Sequence, residues 1–375
     1  MTVAIVGAAE SDLGVTGKSV LELQTQAITR ALADAGLTLK DVDGLATTGV
    51  SRFSATLMAE YLGLQPKWTD STFAGGSAFE MYVARAVQAI EAGQCTTVLI
   101  SYGSNQRSAR SRSLNAIAED HTPYARYEAP YGPLYPLSYY AMVAQRYMHV
   151  YQQKREALAE VAVAAREWAL LNPKAYRHNA GPLTTEDVLA AEMVSSPLTV
   201  ADCCLVTDGG GAIVLTSLDR ARDLPQRPVT VLGYGEATTN DTMAHAKDLL
   251  STGAEDSGSR AFAMAGLTPQ DVDVAQVYDS FTITVLMTLE GLGFCKPGEA
   301  GELVRSRTLP FNTNGGGLSY CHPGMYGLLL LVEAVRQLRG ECGERQVPGA
   351  EIALAHGTGG IFSTHATVLL GVDRC

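Results

Sequence analysis

Hydrophobic positions along the chain fall into two alternating rhythms. Short runs rich in valine, isoleucine and alanine, at residues 3–7, 44–48, 97–102, 229–233, 274–278 and 351–356, read as strands. Between them, apolar spacing near 3.6 predicts helices, one running from the turn Ala74-Gly75-Gly76-Ser77 to Glu91 and one over about 326–338. A repeat organises these elements. Residues 31–43 (ALADAGLTLKDVD) and 261–273 (AFAMAGLTPQDVD) agree at nine of thirteen positions at an offset of 230, where average composition gives about one by chance. Each copy has a strand before it and a strand after it. Each half therefore predicts a β-α-β-α-β unit building a mostly parallel sheet with helices on both faces, and two such halves make a pseudo-twofold α/β body. The first half spans 1–220 and the second 228–375. An insertion at about 104–197, with Tyr- and Pro-rich loops and helices at 138–150 and 154–171, interrupts the first.

Composition narrows the classes of function. A chain of 375 residues that is 46% hydrophobic buries a full core, and a net charge of −11 argues against nucleic acid or an anionic membrane as partner. No apolar run approaches the ~20 residues of a membrane span, and the start, MTVAIVGAAE, lacks the features of a signal peptide, so a cytoplasmic protein is expected. The seven cysteines are scattered without C-x-x-C spacing, and no carboxylate-histidine cluster has metal spacing; neither a disulfide framework nor a metal is expected. Arg107, Arg110 and Arg112 sit among aromatics in the insertion, a combination that holds a phosphorylated ligand by charge and stacking, although solvated loop arginines look the same. The glycine runs at 74–76, 209–211, 315–317 and 357–360 let backbone approach backbone, or a ligand, closely; Gly316 and Gly359 are the candidate ligand contacts. His121, His149, His178, His245 and His365 have no such context and are expected to be structural or surface groups.

The duplicated halves, the strand motif Asp208-Gly209-Gly210-Gly211-Ala212, the segment Gly317-Leu318-Ser319-Tyr320-Cys321-His322-Pro323 and the ending His356-Gly357-Thr358-Gly359-Gly360 together resemble the thiolase superfamily over essentially the whole chain. Tyr278-Asp279-Ser280-Phe281-Thr282 resembles the H-D-C-F-T element of its sterol-carrier-protein-type branch. The resemblance implies a layered αβαβα thiolase fold with an inserted loop domain, a CoA thioester as substrate with no permanently bound cofactor, and a homodimer that covers a sheet edge such as 97–102.

One departure matters most. Thiolases carry a nucleophilic cysteine before the turn that opens the third helix, and Phe73 stands there. Phenylalanine cannot carry an acyl group. Ser77 lies nearby, but a serine needs an adjacent base to attack, and its expected role is to cap the helix with its side-chain oxygen. Phe73 and Ser77 are thus candidate substrate contacts. By resemblance His322 stabilises a thioester enolate, His356 stands at the second-cysteine position as the group that moves a proton at Cα, and Tyr278 and Tyr326 converge with them. This set resembles the cysteine-less steroid side-chain aldolases of the superfamily, which perform retro-aldol cleavage of a β-hydroxyacyl-CoA and work with a small partner protein bearing an OB-fold and zinc ribbon. Two other functions fit: a thiolase-type acyltransferase using Cys321, and a non-catalytic acyl-CoA or lipid carrier.

Overall fold

The computed structural model describes residues 2–112 and 122–373; His121 and Cys375 lie outside the described residues. The first half runs β1 (Val3–Glu10), α1 (Val20–Asp34), β2 (Gly44–Thr47), α2 (Ser54–Leu62), β3 (Trp68–Asp70), α3 (Ala78–Glu91) and β4 (Thr97–Ser104). The insertion contributes α4 (Leu137–Tyr151), α5 (Arg155–Leu170), α6 (Thr185–Ala190) and the two short strands β5 (Met193–Ser195) and β6 (Leu198–Thr199). β7 (Gly209–Ser217) and α7 (Leu218–Ala221) follow. The second half is β8 (Val229–Thr238), α8 (Ala254–Ala265), β9 (Val274–Val277), α9 (Thr282–Gly291), α10 (Ala300–Ser306), α11 (Gly327–Arg339), β10 (Ile352–Gly359) and β11 (Thr364–Val372).

The repeated segment folds alike in both copies. After α1 and α8 the chain makes one 3-10 turn and enters β2 or β9. Thr38 and Thr268 close that turn, their backbone N–H groups donating to Asp41 at 2.9 Å and Asp271 at 2.8 Å. Strand order is β3-β2-β4-β7-β1-β8-β11-β10-β9, two half-sheets joined through a short β1–β8 contact. Ala275 of β9 bridges Phe311 in parallel, the counterpart of β3 beside β2.

The sheet is mixed rather than mostly parallel. β2, β3 and β4 are parallel, as are β9 and β10, but β7 and β11 run antiparallel to their neighbours. The short connection from β10 to β11 cannot cross over and must reverse the chain, and β7 returns from the insertion in the same sense. A second correction concerns the edge. Residues 97–102 form an interior strand between β2 and β7, and the edge is β3, a short and half-exposed strand.

Helices α3 and α11 lie between the half-sheets and are almost wholly buried: Phe79, Tyr82 and Val83 pack with Leu328 to Leu331 and with the inner faces of both sheets. α1 and α2 cover the outer face of the first half, and α8 and α9, joined by α4 and α5 of the insertion, cover that of the second. The order is αβαβα, and among the described residues no helix is long and apolar enough to cross a membrane.

Close backbone contact packs β7 against β4 within the first half-sheet. A Cβ on Gly210 of β7 would stand 2.3 Å from the Tyr102 carbonyl oxygen of β4. Gly210→Ala is therefore expected to lower the unfolding free energy by about 1–3 kcal/mol, the cost of forcing atoms into a filled interior, measured by urea titration.

Candidate active site

Three segments of the second half build the site, and buried polar side chains fix each. Asn312 accepts the Val277 N–H at 2.8 Å, so β9 is tied to the strand-like segment beside it. Asp279, next after Tyr278, accepts the N–H groups of Gly317 at 2.7 Å and Leu318 at 3.2 Å, anchoring the turn Gly316–Tyr320. His322 follows that turn, and its N–H donates to the Thr207 hydroxyl at 3.0 Å. Asn314 accepts both the Gly316 N–H and the Tyr326 hydroxyl at 2.8 Å. Burial pushes the Asp279 carboxyl up to about 7, against the pull of the Gly317 and Leu318 N–H groups.

These anchors bring Tyr278, His322 and Tyr326 together, with ring centroids 5.7 to 6.1 Å apart. The Tyr326 N–H, at the start of α11, donates to the Tyr278 oxygen at 3.2 Å, and that oxygen lies 3.1 Å from His322 Nε2. Nε2 is the one acceptor within reach of the Tyr278 hydrogen among the described contacts, so the phenol is placed to donate to it, an arrangement that corresponds to neutral His322 protonated on Nδ1. Burial, reinforced by Arg112, lowers the His322 pKa to about 3. Burial also raises Tyr278 well above the usual tyrosine value, with Cys204 adding to the effect and the Tyr326 N–H opposing it. The Tyr326 hydroxyl is spent on Asn314, so this residue serves the cluster through its backbone.

The expectation that His356 joins this cluster is corrected. Side chains alternate along β10: Ala353, Ala355 and Gly357 face α3 and α11, whereas Leu354 and His356 face the opposite side. There His356 Nδ1 meets the Thr367 hydroxyl at 2.8 Å and Nε2 meets His365 Nδ1 at 3.2 Å. His365 Nε2 bonds the Phe362 carbonyl at 3.2 Å, so His365, expected as a structural or surface group, is a buried structural one that completes the pair. His356 touches the cluster only through its carbonyl, which accepts the Tyr278 N–H at 3.0 Å.

Ser77 does not cap α3. It already has helical backbone angles, and its hydroxyl turns back to donate to the Ala74 carbonyl at 2.8 Å and meets Thr364 at 2.8 Å. Phe73 is 72% exposed, beside the loop of residues 48–54. The space around Gly316 and Gly359 is filled by protein, Asp279 at the first and the Ala74 carbonyl at the second.

A cavity of about 720 Å³ opens at His322, with Phe281 and Leu318 on its wall. Arg107 and Arg112 line it and Arg110 does not; Arg166 and Arg177, which the sequence pattern did not single out, line it as well. Burial and the neighbouring Arg177 both lower the Arg166 pKa, the mark of cations gathered in one place. Cys204 also borders the cavity, and burial pushes its thiol up to about 12. Cys321 is buried against the Thr207 hydroxyl at 3.1 Å, with its thiol likewise at about 12. Neither supplies a thiolate near neutral pH.

The layered αβαβα body and a Tyr-His site at the end of its second half define a thiolase-type protein without the thiolase cysteine. The family described as thiolase C-terminal domain-like matches residues 235–372. A steroid side-chain-cleaving aldolase of Thermomonospora curvata is 35% identical over 99% of this chain and 98% of its own. A 17-hydroxy-3-oxo-4-pregnene-20-carboxyl-CoA lyase of Mycobacterium tuberculosis is 36% identical over 95% and 96%. The solved structure of an Ltp2-ChsH2(DUF35) aldolase superposes with a TM-score of 0.89 at 32% identity, covering 100% of this chain and 98% of that one. The chain belongs to the thiolase superfamily, in its sterol-carrier-protein-type branch.

The His356–His365 pair makes a stability prediction. Burial holds His356 well below its ordinary pKa and His365 down to about 4. Below pH ~6.5 the unfolded chain takes up protons that the folded chain refuses, so the pair's contribution is present above that pH and is lost as pH falls towards the folded values. The raised Asp279 works in the opposite sense, so the test is a difference. Relative to the parent, His365→Gln is expected to lose less stability between pH ~6.5 and ~4, by about 1.4 kcal/mol per pH unit, read from denaturant midpoints.

Proposed function

We propose that this protein is a CoA-thioester lyase that breaks the Cα–Cβ bond of a β-hydroxyacyl-CoA by a retro-aldol step, with no acyl-enzyme. The observation that carries this reading is the Tyr278 hydroxyl held between His322 Nε2 and the Tyr326 N–H, in a fold whose nucleophile position is Phe73. The similarity to the aldolase and the lyase supports it.

A neutral tyrosine, with an ordinary pKa ~10, is a poor base by itself. Here it need not ionise. The β-hydroxyl proton passes to the Tyr278 oxygen as the Tyr278 proton passes to His322 Nε2. Electrons of the Cα–Cβ bond move onto the thioester as an enolate, and a ketone or aldehyde leaves. The Tyr326 N–H, at the positive end of α11, stabilises charge developing on the phenol oxygen. A weakly basic imidazole accepts the proton because the enolate forms beside it and supplies the counter-charge. The proton then goes from His322 to Cα, leaving a shortened acyl-CoA and the starting neutral groups. His356 has no part in the transfer.

The arginines at the cavity suit the phosphates of CoA, and the apolar wall with Phe281 and Leu318 suits a bulky acyl group, of which a steroid side chain is the case named in the relatives. The reading includes two assembly partners: a second copy against edge β3, supported by exposed Phe53 and Phe73, and a DUF35-type protein, supported by the similar aldolase. A CoA thioester substrate supports the cytoplasm as the location in this reading.

Tyr278→Phe is expected to lower carbonyl release from a β-hydroxyacyl-CoA by about 10²–10⁴-fold, while Tyr326→Phe, which keeps its backbone N–H, loses far less. Chromatography of the released ketone checks both, and a Tyr278→Phe enzyme at parental rate would contradict the relay. Mass spectrometry after incubation with acyl-CoA is expected to show unmodified protein; an adduct on Cys321 would favour acyl transfer.

A further inference from the structure

Behind the cluster, in the layer between the half-sheets, lies an acid that the mechanism above does not use. Glu80 of α3 is buried, and neither of its carboxyl oxygens has a hydrogen-bond partner. A Cβ on Gly357 of β10 would stand 2.2 Å from Glu80 Oε2, and one on Gly327, the first residue of α11, 2.7 Å from it. The carboxyl is thus wedged between the residue after His356 and the residue after Tyr326. The same Cβ on Gly327 would stand 2.1 Å from the Gly76 carbonyl oxygen, and the Tyr278 ring lies directly against Gly76. Glu80, Gly76, Tyr278 and the first turn of α11 form one continuous contact.

A buried polar group without a partner costs stability, and an apolar side chain would fill the place better. Resting on the aldolase reading of the site, we propose that Glu80 is a positioning residue that works as an uncharged carboxylic acid: it fills the gap between Gly327 and Gly357 and holds the first turn of α11 where the Tyr326 N–H meets the Tyr278 oxygen. As an acid it has an O–H to offer the Gly76 carbonyl; as a carboxylate it would repel that carbonyl and oppose negative charge on Tyr278. Burial pushes its carboxyl up to about 8, opposed by nothing but its own amide N–H.

The groups packed around it allow this. Tyr82 on α3, Tyr102 on β4, and Tyr278 and Tyr326 are all kept protonated by burial. Glu333, further along α11, is neutralised by Arg345 at 3.0 Å, and His356 lies on the far face of β10. No charged neighbour contributes to the Glu80 shift.

The test compares Glu80→Gln, an uncharged isostere at every pH, with Glu80→Leu, which fills space without a polar atom. Single-turnover ketone release from a β-hydroxyacyl-CoA is followed from pH ~6 to ~10, with thermal unfolding recorded for each protein. The parent is expected to lose cleavage above pH ~8 as Glu80 ionises. Glu80→Gln should keep most of the rate, lack that alkaline limb and unfold at a higher temperature than the parent at pH ~8. Glu80→Leu should fold but cleave slowly at every pH. An alkaline limb unchanged in Glu80→Gln, or a parental rate in Glu80→Leu, would overturn the proposal. A parent that releases no ketone would instead refute the aldolase reading.

Discussion

The two halves meet where the turn Gly75–Ser77 lies against the end of β10, and the site exists because no side chain stands at Gly76. A methyl group there would be 2.1 Å from the Tyr278 ring and 2.5 Å from the Thr358 carbonyl oxygen. With that space free, the phenol lies against the turn before α3 and its hydroxyl reaches both His322 and the Tyr326 N–H. The repeat matters for the same reason. It places α3 and α11 side by side between two sheets, so that a turn from one half and a tyrosine from the other share one layer.

That layer excludes water, and exclusion sets the charge state of its groups. Burial raises Glu80, Asp279 and Tyr278 and lowers His322. Four arginines stand at the cavity that opens at His322. A tyrosine and a histidine both held neutral suit a reaction in which charge appears only in passing, as a thioester enolate facing an imidazolium, because in a medium of low dielectric that pair attracts strongly. It suits acyl transfer poorly, since Cys204 and Cys321 are held as thiols.

Much of this was legible from the sequence. A helix-turn-strand segment repeated at an offset of 230 predicts twofold architecture, because two copies of one pattern bury the same face. Tyr278 and His322 carry their context in adjacent residues. Facing was not legible: a shift of one position along β10 exchanges Ala355 for His356 towards the central helices, and a histidine beside a glycine run looks the same on either face. Nor were contacts that only folding creates. Arg166 and Arg177 lie in an insertion without motifs, Asn314 is one residue in a glycine-rich turn, and Glu80 reads as an ordinary helical charge until β10 and α11 close over it. The strand at 97–102 was read as an edge because its true neighbours, β2 and β7, come from opposite sides of the insertion.

The central claim is that this fold performs carbon-carbon cleavage with no covalent intermediate. The direct measurement gives the purified protein, with and without a DUF35-type partner, two substrates in parallel: a β-hydroxyacyl-CoA alone, and a 3-ketoacyl-CoA with free CoA. The account predicts equimolar carbonyl compound and shortened acyl-CoA from the first and no thiolysis of the second. Thiolysis of the 3-ketoacyl-CoA, with the β-hydroxyacyl-CoA left intact, would contradict it.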